Sequence, residues 1–119
     1  MIDAIEKVSA ESIMQAFKDR IEDKQPIAPS WWLDGASKLI VFWGDMADAY
    51  AKRKTEIAEI KVSWISQGKS VAEASVHVEA TLAHQEMLQL KAKMDQITEF
   101  VRLAKQRARL ASWEEGFND

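Results

Sequence analysis

The sequence predicts an all-α fold: an N-terminal helix packed on a long antiparallel two-helix hairpin of coiled-coil type, assembled with further copies of itself. Two apolar stripes with alternating three- and four-residue steps carry that expectation. The first is Trp32, Ala36, Leu39, Trp43, Met46, Tyr50, Arg53, Ile57, Ile60 and Trp64, and the second Val76, Ala80, Ala83, Met87, Leu90, Met94, Ile97, Val101, Ala104, Ala108 and Ala111. A repeat of this kind, held for more than four heptads, belongs to helices that wrap around each other. Between the stripes stands Gln67-Gly68-Lys69-Ser70, where Gly68 can end one helix in the left-handed conformation while Ser70 and Glu73 form a capping box for the next. Prolines occur only at positions 26 and 29, so none interrupts either stripe.

Each element follows in order within a single domain of 119 residues. Ile5, Ile13, Phe17 and Ile21 recur at helical spacing and predict a first helix over residues 3–22. Pro26 and Pro29 then impose a loop over residues 23–30, because each lacks an amide donor and pushes its predecessor out of helical geometry. Ser30 is the expected cap of a second helix over residues 31–67. A turn at residues 68–70 leads to a third helix over residues 71–115. Gly35 and Gly44 fall inside the first stripe and read as close helix contacts or a slight bend.

Arms of this length would be about 50 Å long, and two helices cover only one face of each other. Leu33, Ile40, Val41 and Phe42 lie off the first stripe, and Phe100, Leu103, Leu110, Trp113 and Phe117 off the second. Antiparallel pairing sets Trp43 near Ile97 and Ala36 near Ala104, so this surplus gathers at the end distal from Gly68. The first helix covers part of it. Phe100, Leu103, Leu110, Trp113 and Phe117 are therefore expected at an interface between copies of the chain.

Composition excludes several classes. The longest apolar run, residues 39–43, is far short of the roughly 20 residues that cross a bilayer. Acids at Asp3 and Glu6 stand where a secretory signal carries bases, so the chain is expected in the cytoplasm. With no cysteine there are no disulfides, thiolate metal sites or thiol nucleophiles. Gly68-Lys69-Ser70 imitates the end of a phosphate-binding loop, but Ser63 occupies the position of the required first glycine and a helix precedes it. His77 and His84 are seven residues apart with only Glu73 nearby on that face, short of a zinc set. No metal, cofactor, catalytic residue or small-molecule substrate is expected, and the protein reads as a non-enzyme.

The net charge of −3 hides an uneven distribution. Residues 1–50 hold nine acids and five bases, residues 51–70 five bases and two acids, and residues 91–109 six bases and two acids. Lys52, Arg53, Lys54, Lys61 and Lys69 lie near Tyr50 and Trp64, and cations with interleaved aromatic rings are what sequence-indifferent single-strand binding requires. A solvated face with helix-end lysines would carry the same charges. Arg53 has two readings: a seam residue reaching Glu86 or Glu79 and fixing register, or a member of the basic cluster.

The stretch Ile60-Lys61-Val62-Ser63-Trp64-Ile65-Ser66-Gln67-Gly68 resembles the DNA-binding stretch of the small helical recombination mediators of T-even-like phages, the UvsY type. Lys61, Trp64 and Gly68 take the basic, aromatic and glycine places, while Ser63 and Ile65 stand where a second base and a second aromatic would be. Residues 97–107 and then Trp113 to Phe117 are similar to that family's closing pattern of apolar helix, arginine, aromatics and glycine. The resemblance implies a phage protein acting in the host cytoplasm, ring-like in assembly, binding single-stranded DNA and helping to load a recombinase. With Lys61, Trp64 and Lys69 from that stretch and Lys52, Arg53 and Lys54 from the charge cluster, the candidate DNA-binding residues are Lys52, Arg53, Lys54, Lys61, Trp64 and Lys69. The rival expectation is a protein-binding helical scaffold or small phage-encoded inhibitor whose apolar helix faces hold a protein partner.

Overall fold

The computed structural model describes residues 8–23 and 26–118, with side chains as far as Ser112. The fold is all-α. Helix α1 spans Ala10–Glu22, α2 Pro29–Ser66, α3 Val71–Glu79 and α4 Leu82–Asn118. The chain divides into two compact units: Met1–Trp43 with Gln96–Asp119, and Gly44–Asp95. Both α2 and α4 contribute to each unit.

In the first unit α1 begins later than its periodicity predicts. Ser9 is extended (φ −130°, ψ 162°), and its hydroxyl accepts from the Ser12 amide at 3.1 Å while the Ser12 hydroxyl accepts from the Ser9 amide at 3.1 Å. This reciprocal capping box sets the helix start at Ala10. The earlier part of the expected helix, residues 3–7, lies outside the described residues. Helix α2 opens at Pro29 rather than behind a Ser30 cap, because proline has no amide to leave unpaired in the first turn and its φ is already helical.

Ala10, Ile13, Met14 and Phe17 form the buried face of α1. Phe17 is 1% exposed, with ring centroids 5.6 Å from Trp31, 5.4 Å from Trp32 and 6.2 Å from Phe100. Trp32, Ala36 and Leu39 of α2 and Ile97, Ala104 and Ala108 of α4 complete this core. All six lie on the stripes read from the sequence. A β-carbon at Gly35 would stand 2.6 Å from the Phe17 ring, so this glycine lets α1 lie close against α2.

In the second unit α2 ends in a Schellman motif. Gly68 has φ +94°, its amide donates to the Ile65 carbonyl at 3.0 Å, and the Lys69 amide donates to the Trp64 carbonyl at 3.2 Å. Ser70 then caps α3, accepting from the Glu73 amide at 3.1 Å. The reciprocal half differs from expectation, since the Glu73 carboxylate accepts from the Ser70 hydroxyl at 3.3 Å.

The return arm is not one helix over residues 71–115. It breaks at Ala80–Thr81, where the Thr81 hydroxyl donates to the Val78 carbonyl at 2.7 Å and accepts from the His84 amide at 3.2 Å. A threonine that bonds locally in both directions ends one helix and caps the next. The break frees α3 to rotate relative to the heptad of α4. Ala74 and Val78 are therefore buried, while Val76, expected on the seam, is 67% exposed and Ala80 is exposed. From Ala83 onward the predicted stripe faces inward.

Among the described residues nothing lies within 4 Å of where a β-carbon on Gly44 would stand, so of its two readings, a close helix contact or a slight bend, the close contact is not met. The two glycines of α2 should respond to alanine with opposite signs. Gly44→Ala is expected to stabilise by about 0.5–1 kcal/mol through helix propensity, whereas Gly35→Ala is expected to destabilise by about 1–3 kcal/mol through overpacking against the enclosed Phe17 ring. Urea titration of both variants checks this.

Candidate nucleic-acid interface

The basic residues of the second unit are largely engaged with the protein itself. Arg53 lies between two carboxylates, Nη1 at 2.8 Å from Glu56 and Nε at 2.7 Å from Glu86. This is the seam geometry, with the guanidinium fork spanning an intrahelical and a cross-helix acid. Lys54 sits 5.6 Å from the centroid of the Tyr50 ring, and Lys69 is 4.0 Å from Glu73. Lys52 and Lys61 form no ion pair among the described residues. They are nine residues apart on α2, two and a half turns, and so point to opposite sides, while Lys54 and Lys61 share a face.

Trp64 is half-buried and stacks on His77 of α3, with ring centroids 4.1 Å apart and planes 12° from parallel. One face of the indole is thereby covered. Lys52, Arg53, Lys54, Lys61, Trp64 and Lys69 are thus not one cation track with a bare aromatic platform.

A more open set of cations lies on α4, apart from the residues that the sequence pointed to. From Phe100 to Ser112 the chain carries Arg102, Lys105, Arg107 and Arg109 and no acid. All four are exposed. Arg102 pairs with Glu99 at 3.0 Å, and Lys105, Arg107 and Arg109 form no ion pair among the described residues. Arg102, Lys105 and Arg109 share one helix face by their three- and four-residue steps. The charge excess of residues 91–109 is the sequence signal for this set; the aromatic neighbours of the cations near the turn outweigh it when only the sequence is read.

Of the residues expected between copies, Phe100 is taken up inside the first unit by Phe17, with Lys18 Nζ 5.8 Å from its centroid. Leu103 is half-buried, Leu110 is 58% exposed, and the side chains of Trp113 and Phe117 lie outside the described residues. Leu33, Ile40, Val41 and Trp43 of α2 are also exposed, at 47%, 50%, 65% and 39%. A groove of about 260 Å³ on the first unit is lined by Ile40, Trp43, Ile97, Thr98, Val101 and Lys105.

Among the described residues no cluster of three or more His, Asp or Glu side chains could hold a metal ion, and no helix is long and apolar enough to cross a membrane.

A double-mutant cycle of Arg53→Met and Glu86→Gln should give a coupling of about 0.2–1 kcal/mol in thermal or urea unfolding, the range of partly exposed pairs. A coupling of zero would remove Arg53 from the seam.

No family model, no curated protein and no solved structure matches this chain.

Proposed function

We propose that the chain is a non-enzymatic helical protein that assembles with copies of itself and binds single-stranded DNA, in the manner of a recombination accessory factor. The observation that supports this reading is the acid-free stretch of α4 from Phe100 to Ser112, where Lys105, Arg107 and Arg109 are exposed without an ion-pair partner among the described residues on a protein of net charge −3. Cations already paired to carboxylates have little to offer a phosphate, whereas free ones release condensed counterions when a strand binds. A polyanion responds to this local field rather than to the total charge. The likeness of residues 60–68 to a mediator's DNA-binding stretch supports the same class of partner, with a recombinase as the protein it would serve.

A protein-binding role is favoured by a different observation. Ile40, Val41 and Leu110 stay largely exposed on helices whose other faces are closed, and helix faces of this kind bind partner helices. Copies of the same chain are the partner assumed here, and a host or viral protein is the alternative.

Fluorescence anisotropy with a labelled, unstructured oligonucleotide at two salt concentrations tests the DNA reading. The unmodified chain should bind, and Arg107→Glu with Arg109→Glu should weaken binding and flatten the log–log salt slope by about 0.7 for each phosphate no longer neutralised. Reversing Lys18 and Arg20 of α1 should change little. No binding by the unmodified chain at low salt would leave the protein-binding role as the better account. Self-assembly is checked separately: Leu103→Glu with Leu110→Glu should lower the mass in light scattering, and a monomer mass for the unmodified chain would exclude it.

A further inference from the structure

We propose that the groove beside Trp43 on the first unit takes one base of a single strand, with the Trp43 indole as stacking platform and Lys105 as the anchor for the adjoining phosphate. This rests on the single-strand reading above and names its site.

Trp43 belongs to the inward stripe, directly after Trp32, Ala36 and Leu39, which are 4%, 2% and 0% exposed, yet it is itself 39% exposed. The core closes one turn before it. Its indole borders a groove also lined by Ile40, Ile97, Thr98 and Val101, with Ile97 only 1% exposed. At about 260 Å³ the groove is smaller than the roughly 300–1,000 Å³ of drug-sized sites, a scale that suits a single planar ring. Apolar walls with an aromatic ring beside them are what base stacking uses without regard to sequence.

Charge decides between an apolar protein anchor and a base. Lys105 stands one turn beyond Val101 at the groove's edge and has no ion-pair partner among the described residues. Arg109 follows one turn later, about 6 Å along the helix axis, and Arg102 precedes it on the same face. That rise is close to the spacing of successive phosphates on an extended strand. An apolar segment of protein would fill the groove but leave Lys105 and Arg109 unanswered, Arg102 being paired with Glu99, whereas a nucleotide satisfies both. The turn end of α2 offers no equivalent, because Trp64 already stacks on His77.

The test uses the full chain, a fluorescein-labelled oligothymidylate and circular dichroism of every variant. Trp43→Ala should weaken binding by about 5- to 100-fold with the salt slope unchanged, and Trp43→Phe should retain most of the affinity. Lys105→Glu, at an exposed position, should lower the slope by about 0.7. A 5-bromodeoxyuridine oligonucleotide, photocrosslinked to the unmodified protein and mapped by mass spectrometry, should mark the peptide containing Trp43, which tests the site even where the alanine variant fails to fold. Binding by the unmodified chain with both variants unaffected, or crosslinks only at Trp64, would overturn this site and leave the single-strand reading standing. No binding at all would overturn both. A lower mass in light scattering on Trp43→Ala, without a crosslink at Trp43, would make the groove a contact between copies and overturn the proposal.

Discussion

Burial of the Phe17 ring is the interaction on which the first unit depends. It meets aromatic rings of both long helices, Trp31 and Trp32 on α2 and Phe100 on α4. Burying such a side chain stabilises by about 1.5–3 kcal/mol, and tilted aromatic pairs add about 0.5–1.5 kcal/mol each. The ring fits only because Gly35 presents no β-carbon. Glycine at that position costs helix propensity, and the cost is offset by letting α1 lie close enough to seal the end of the core. The same contact explains why an aromatic-rich chain keeps several of its rings inside one copy.

The second unit is held differently. Among its described residues only Ala74 and Val78 are buried, both on α3. In place of a deep core it has paired polar and aromatic contacts: Arg53 between Glu56 and Glu86, and Trp64 stacked on His77. Such contacts are individually modest in water-exposed settings, and they draw Arg53 and Trp64 into the unit's own structure. Cations close to aromatic rings in the sequence therefore do not by themselves make a binding surface; which groups remain unpaired decides that. Among the described residues, Lys105, Arg107 and Arg109 of α4 form no ion pair.

Surface apolarity and surface charge meet in the first unit. The α1 contact covers one side of α2 and α4 and leaves another side with Ile40, Val41, Trp43 and Leu110 in water. Arginine and lysine stems can lie along such surface while their heads stay hydrated, so cations on α4 and apolar side chains on α2 are compatible neighbours rather than competing designs. A strand with stacking bases and charged phosphates has the same two-sided chemistry.

Much of the architecture was legible in the sequence. The stripes picked out Trp32, Ala36, Leu39, Ile97, Ala104 and Ala108 as core, and Gly68 with Ser70 marked the turn, because helical periodicity and capping are encoded within a few neighbouring residues. Even the Arg53–Glu86 pair follows from heptad position. Tertiary structure decided the rest. Thr81 could have stayed in a helix; its hydroxyl instead bonds Val78 and His84, the return arm breaks there, and Ala74 and Val78 turn inward. Gly35 and Gly44 look alike in the pattern, yet one meets Phe17 and the other meets nothing, since what a glycine approaches is set by a segment distant in sequence. The candidate site was hardest to read for the same reason: composition counts charges and rings, but whether a carboxylate or an imidazole reaches them depends on which helices come together.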